Sequence, residues 1–252
     1  MAPDRTSDLI ARTEVLKIPF HSISDTSMPE IAEELLARTD LKQVMLVRWW
    51  DFMKIRANRE LRVCARKAAL VVPVSKSLAA GARFLTHARP ERHLPFSLVI
   101  RLLGALEDRK KSIYILGGNP EMLRTVEQNL RETFPGLRCV GRYTGLFSAA
   151  VETDIITAIS KAQPDLLLLG SGVPGSDRWI HRHRAALGSC IALSSPETFA
   201  IFAERRKRTS KSAFRRGTDF LPNLLRRPWR ILRFPVFVWY VFLLLIFRVF
   251  RI

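Results

Sequence analysis

The sequence predicts an α/β fold: a Rossmann-like, mostly parallel sheet flanked by helices, with a basic, aromatic appendage at the C-terminal end. Three observations predict it. Short apolar runs alternate with longer amphipathic ones along the chain. Several short runs, such as Leu166–Leu169, are apolar at every position, as strands buried on both faces of a parallel sheet are. The connections between runs are short, which suits right-handed βαβ units.

The strand runs are Gln43–Val47, Ala69–Val74, Ser112–Leu116, Arg138–Gly141, Asp165–Leu169 and Cys190–Leu193. Helices are expected over Pro29–Arg38, Asp51–Arg66, Phe96–Arg109, Pro120–Thr133, Ala149–Lys161, Ser176–Ala186 and Pro196–Arg206. Their starts are marked. Ser27-Met28-Pro29-Glu30 reads as a capping box with an early proline, and Asn119-Pro120-Glu121 puts a cap residue and a proline straight after Gly117-Gly118. Pro135-Gly136 turns the chain out of that helix into the next strand.

At 252 residues the chain holds one α/β core plus an appendage, and 48% apolar content excludes a disordered chain. The net charge of +18 is uneven: from Arg205 onward there are thirteen Lys and Arg against a single acid, Asp219. Strong positive charge seeks phosphate on nucleic acid, lipid or substrate. Here it is interleaved with Phe, Trp, Leu and Ile, which points to anionic lipid and away from nucleic acid. Cys64, Cys139 and Cys190 are odd in number, far apart and outside any CxxC, so a reducing compartment is expected. Met1–Arg12 carries four charges and no long apolar core, so no signal peptide is expected.

The domain is expected to span 1–206, with a membrane-associating appendage over 207–252. Phe234–Phe247 is free of charge, but as a helix it reaches about 21 Å, against a hydrocarbon core of about 30 Å. An interfacial or re-entrant anchor is favoured over a span, or over a buried or partner-binding helix, because Trp229, Trp239, Tyr240 and flanking arginines suit a membrane interface.

Three loops could carry chemistry. Gly117-Gly118-Asn119 runs from a strand into a helix start, which suits either a phosphate site or a plain turn. Gly170-Ser171-Gly172-Val173-Pro174-Gly175-Ser176-Asp177 follows another buried strand, and serves as a ligand loop or a connector. Gly141-Arg142-Tyr143-Thr144-Gly145-Leu146-Phe147 offers two rings, either to stack on a base or sugar or to fold onto the core. A dinucleotide fingerprint is not met, because Pro174-Gly175-Ser176 breaks the pattern that Gly170 and Gly172 begin. No DxD pair occurs, and His21, His87, His93, His181 and His183 form no ligand set, so no metal and no cofactor are expected.

The order GGNPE, FPGLR, GRYTGLF and PDLLLLGSGVPGSDRWI resembles the WecG/TagA/CpsF family of bacterial glycosyltransferases. So do Arg208, Gly217-Thr218-Asp219-Phe220 and Arg227-Pro228-Trp229-Arg230 in the appendage. The resemblance implies transfer of an N-acetylhexosamine-type sugar from a UDP-sugar to a polyprenyl-diphosphate-linked acceptor. It implies cell-wall or surface polysaccharide synthesis at the cytoplasmic membrane face, by a peripheral or C-terminally anchored protein. A homo-oligomer is left open. The implied nucleotide-sugar residues are Gly117, Gly118, Asn119, Tyr143, Gly145, Gly170, Gly172, Pro174 and Asp177. Those implied for diphosphate and lipid are Arg92, Arg208, Arg227 and Arg230.

The chain departs from the family pattern where an aspartate is expected as general base: the matching stretch reads Val72-Pro73-Val74-Ser75, and Val74 has no proton acceptor. Leu46-Val47-Arg48 stands where a Thr-x-Asn is expected, Ser176 where a Gln is, Ser97 where an acid is, and Asn223 where an arginine is. Three readings stay open. The chain is a catalytically silent homologue that binds nucleotide-sugar or acts as a membrane-docked scaffold, an active transferase whose base has moved to Asp51 or Asp177, or the same scaffold in an unrelated role.

Overall fold

The structure is a computed structural model that describes residues 11–23, 27–37, 40–86, 91–216, 232 and 234–250. Arg227, Arg230 and the motifs over 217–230 lie outside the described residues. Six parallel strands form the sheet, and the expected fold class is the one observed: β3 (Lys42–Val47), β4 (Leu70–Pro73), β5 (Ser112–Leu116), β6 (Arg138–Tyr143), β7 (Leu166–Leu169) and β8 (Ile191–Ser194), ordered β4-β3-β8-β7-β5-β6.

Both faces are covered. Leu166 and Leu168 of β7 join one core with α1 (Met28–Ala37), α5 (Pro95–Glu107), α6 (Pro120–Thr133) and α9 (Pro196–Phe202). Leu167 and Leu169 point the other way, into a core with α7 (Ala149–Ala162) and α8 (Ser176–Arg182). This double burial is why the strand runs carry no polar alternation.

Where sequence and structure differ, local chemistry gives the reason. The helix expected over Asp51–Arg66 is two, α2 (Trp49–Ala57) and α3 (Arg59–Lys67). Between them Asn58 is extended, and its side chain accepts from Leu61 N at 3.1 Å to cap α3. The helix expected over Ser176–Ala186 ends at Arg182, and β6 runs two residues further than expected.

Unforeseen elements are the hairpin β1 (Ala11–Val15) and β2 (Ile18–Ser22), α4 (Lys76–Thr86), and the short α10 (Lys211–Arg216). The hairpin turns on Leu16 and Lys17, both at positive φ. That backbone is usually signalled by Asn or Gly, so the sequence carried no turn signal. The hairpin covers the open edge of the sheet: Val71 N–H of β4 donates to Nδ1 of His21 at 2.9 Å.

The apolar run near the C-terminal end forms α11 (Phe234–Phe250). Tyr240, Leu243 and Leu244 are buried against α4 in a third core, which contains Phe52 and Leu78. Gly81 makes this fit: a Cβ there would lie 2.1 Å from Oη of Tyr240, and that hydroxyl donates to Ser77 O at 3.1 Å. The remaining face is exposed and apolar, with Phe234, Val238, Trp239, Phe242, Leu245 and Val249. Part of 207–252 is thus built into the core of the preceding residues. Among the described residues no helix is long and apolar enough to cross a membrane.

Burial, and then the charge of Arg12, lowers the pKa of His21 to about 4. The ring nitrogen that accepts from Val71 must be unprotonated to do so. A histidine depressed in the folded state contributes fully above its unfolded value of about 6.5. The contribution is lost as pH falls toward 4. Urea unfolding of the wild type minus His21→Gln is expected to show a stability difference that falls by about 2–3 kcal/mol between pH 7 and pH 4. A pH-independent difference would contradict this role.

Candidate functional site

The loops that follow the strands all open on the carboxyl rim of the sheet, where open α/β sheets gather ligands. Three of them lock together. Gly117 N–H donates to Tyr143 O at 2.9 Å, Gly118 N–H to Ser171 O at 2.7 Å, and Gly145 N–H to Gly118 O at 2.9 Å. Gly117 has φ +147°, and a Cβ on it would sit 2.6 Å from Gly170 Cα. A Cβ on Gly145 would sit 2.2 Å from Ser171 O. These glycines bring backbone against backbone.

The arrangement refines the expectation drawn from the glycines. The Gly117 and Gly118 amides bond the neighbouring loops, and Asn119 Oδ1 accepts from Met122 N at 2.8 Å to cap α6. Gly117, Gly118, Gly145 and Gly170 are buried under the rim, while Asn119, Tyr143, Gly172 and Pro174 are exposed on it. The two rings of the third loop divide: Tyr143 faces solvent, and Phe147 packs on Trp179 with centroids 6.3 Å apart.

A cavity of about 590 Å³, within the usual range for small-ligand sites, is connected to the glycine loops through α9, where Glu197 lines the cavity and Phe199 packs on Gly118 and Gly170. It brings Arg92 and Arg208 together, with Arg101, Phe96, Phe214 and Glu197. Arg92 stacks over Phe214 at 4.1 Å, and Arg208 over Phe96 at 4.7 Å. Arg92 also ties the cavity to β4 and α10, donating from Nε to Val74 O at 3.3 Å and from Nη1 to Phe214 O at 3.2 Å. Stacked, hydrogen-bonded guanidinium groups are suited to planar recognition of phosphate.

Val74, two strands from the centre of the rim, has its aliphatic side chain buried and its N–H bonded to Val47 O at 2.9 Å. Ser75 Oγ accepts from Trp49 N–H at 3.0 Å. Neither Asp51 nor Asp177 lines the cavity. Asp51 is half-exposed on α2, 3.7 Å from Lys54 Nζ. Asp177 turns toward β3, where Gln43 Nε2 donates to its backbone O at 3.0 Å and lies 3.4 Å from its Oδ1. Burial, and then the charge of Asp51, pushes the Asp177 carboxyl up to about 6.

Among the described residues, the acid that does line the cavity is Glu197, which was not among the expected site residues. Its carboxyl accepts from Arg48 and, at 3.1 Å, from Arg206, and its side chain is 11% exposed. The available signal was Ser195-Pro196-Glu197, a helix start directly after a buried strand. Among the described residues no cluster of three or more His, Cys, Asp and Glu is placed to hold a metal ion.

Comparison with known proteins gives this architecture its class. The model of the Glycosyl transferase WecG/TagA/CpsF family matches residues 13–251, and the chain belongs to that family. It is similar to the N-acetylglucosaminyldiphosphoundecaprenol N-acetyl-beta-D-mannosaminyltransferase of Bacillus subtilis (strain 168). The two are 21% identical over 160 residues, 64% of this chain and 62% of the relative. The enzyme of the same name from Bacillus spizizenii is 23% identical over 146 residues, 57% of this chain and 56% of the relative. That from Staphylococcus aureus (strain NCTC 8325 / PS 47) is 20% identical over 132 residues, 51% of each chain. The match thus spans less than two-thirds of the length of these curated relatives.

If backbone contact between loops sets the rim, Gly145→Ala must force two main chains apart. It is expected to cost about 2–3 kcal/mol in denaturant unfolding. Leu146→Ala, at a residue 79% exposed, is expected to change stability by less than about 0.5 kcal/mol. Equal effects at the two positions would contradict the packing role.

Proposed function

We propose that this chain is a membrane-surface transferase that moves an N-acetylhexosamine-type sugar from a UDP-sugar to a polyprenyl-diphosphate-linked acceptor in cell-wall or surface polysaccharide synthesis. The single observation that carries this reading is that α9 joins the glycine-loop rim to the arginine–phenylalanine cavity, with Phe199 packed on Gly118 and Gly170 and Glu197 lining the cavity. The relatives' names, N-acetylglucosaminyldiphosphoundecaprenol N-acetyl-beta-D-mannosaminyltransferase, support the acceptor and the class of sugar.

On this reading the donor lies on Asn119, Tyr143, Gly172 and Pro174, over the buried Gly117, Gly118, Gly145 and Gly170. The Tyr143 ring supports the base or ribose. Asp177 holds the loop after β7 to β3 through Gln43. The acceptor diphosphate meets Arg92 and Arg208, joined by Arg227 and Arg230 of the appendage. Arginine charge fixed in a partly closed cavity stabilises both the bound diphosphate and the negative charge that develops on the leaving UDP. The lipid lies against the exposed face of α11. That helix has 17 residues, about 26 Å long, short of a span of about 30 Å, and its inner face is occupied by α4. An interfacial position at the cytoplasmic leaflet follows, with 1–206 as the transferase domain and 207–252 as its membrane-associating part.

A second reading, a silent homologue that keeps the binding surfaces, draws on Val74, whose buried side chain offers no acceptor for a proton. Turnover separates the two.

Two outcomes are expected. Calorimetry of the chain in detergent shows saturable UDP binding, weakened about tenfold in Tyr143→Ala through lost stacking. No binding at millimolar UDP would remove the donor site. In flotation with vesicles containing anionic lipid, the wild type rises with the lipid, and the pair Trp239→Glu and Phe242→Glu stays in the soluble fraction. Equal flotation would place the membrane contact elsewhere.

A further inference from the structure

We propose that Glu197 is the general base of this site, an inference that rests on the transfer reaction proposed above. Among the described residues lining the cavity, Glu197 alone carries a carboxylate, while Val74 presents only a buried isopropyl group. Its place in the fold is as telling as its chemistry. β8 lies between β3 and β7, so the helix that follows it stands between the Val74–Arg92 end of the rim and the glycine loops. Phe199, two residues beyond Glu197, is fully buried against Gly118 and Gly170. One short helix therefore touches both halves of the site: Phe199 supports the donor loops from below, and Glu197 faces the acceptor cavity.

The carboxylate is also held still. Ser195 N–H bonds to Leu169 O at 2.9 Å, and Ser195 Oγ donates to Thr198 Oγ1 at 2.8 Å, fixing the start of α9 to the strand end. Arg48, from the end of β3, binds one carboxyl oxygen, and Arg206, just past α9, binds the other. Two guanidinium partners hold Glu197 as an anion, and each of its oxygens keeps a second lone pair for a proton.

The step balances as follows. The acceptor hydroxyl gives its proton to Glu197 while its oxygen forms a bond to the anomeric carbon of the donor sugar. The bond from that carbon to the β-phosphate oxygen breaks, and its electron pair leaves with UDP. Glu197 then returns the proton to water.

The test uses the full chain in detergent, a UDP-N-acetylhexosamine donor and a prenyl-diphosphate-linked N-acetylglucosamine acceptor. Glu197→Gln is expected to lower kcat at least 100-fold while UDP affinity stays within about twofold. The acid limb of the wild-type pH–rate profile is expected to vanish from the residual activity. Glu197→Asp keeps a carboxylate and is expected to keep that limb at reduced kcat. It carries the test alone if the amide variant unfolds. Glu197→Gln activity within threefold of wild type would overturn the inference. So would an unchanged acid limb in Glu197→Gln or a lost one in Glu197→Asp, because Glu197 would then be only a strut for two arginines. A wild-type chain that binds UDP but turns nothing over also overturns it. Loss of UDP binding, by contrast, removes the transferase reading itself.

Discussion

Burial of a parallel sheet on both faces is the constraint from which the rest follows. With helices on either side, the strands other than the edge strand β6 have little solvent face to carry chemistry, so their polar side chains gather at the strand ends. The strands run parallel, so one rim receives the loops after β3, β4, β5, β6, β7 and β8 together. There the glycines let three loops meet at backbone distance, which fixes the height and shape of the donor side. The loops after β3, β4 and β8 hold Arg48, Val74 and Glu197 on the other side, and the chain beyond α9 returns to close it with Arg208 and Phe214. On the proposed reading, donor and acceptor surfaces are neighbours because β7 and β8, the strands beneath their facing sides, are adjacent.

Much of this was legible from residue order. The all-apolar runs marked the central strands, and Asn119-Pro120 marked a helix start that the structure reproduces at Pro120. Arg92 and Arg208, far apart in sequence, were named together through family resemblance, and they share a cavity. The failures are physical. Leu16-Lys17 makes a tight turn without a turn residue, because the core it serves, with Val15 and Ile18 buried, outweighs local backbone preference. Gly81 weakened the helical signal of α4 for the reason that makes it useful, the close approach of Tyr240. Glu197 was passed over because its two arginine partners, Arg48 and Arg206, come together only in three dimensions.

The glycine loops have a packing role that their sequence alone does not display. A glycine pair before a helix suggests open amides waiting for a phosphate. Here the amides of Gly117 and Gly118 are bonded to neighbouring loops, and the surface left to a ligand is made by Asn119, Tyr143, Gly172 and Pro174. The C-terminal helix shows a related division. An apolar run reads as one object in sequence, yet α11 has an inner stripe through Tyr240 and Leu244 that belongs to the core. Its outer stripe, through Trp239 and Phe242, belongs to whatever lies outside. The same helix can therefore fix the orientation of the rim relative to a lipid surface.

The central claim is that one rim carries two neighbouring phosphate-recognising surfaces, one for a nucleotide and one for a lipid diphosphate. Hydrogen–deuterium exchange of the full chain in detergent, with UDP alone and with farnesyl diphosphate alone, tests it most directly. The account predicts that UDP protects the loops holding Asn119, Tyr143 and Gly172, and that farnesyl diphosphate protects the segments around Arg92 and Arg208. Protection of one common segment by both, or of neither region by either, would contradict it.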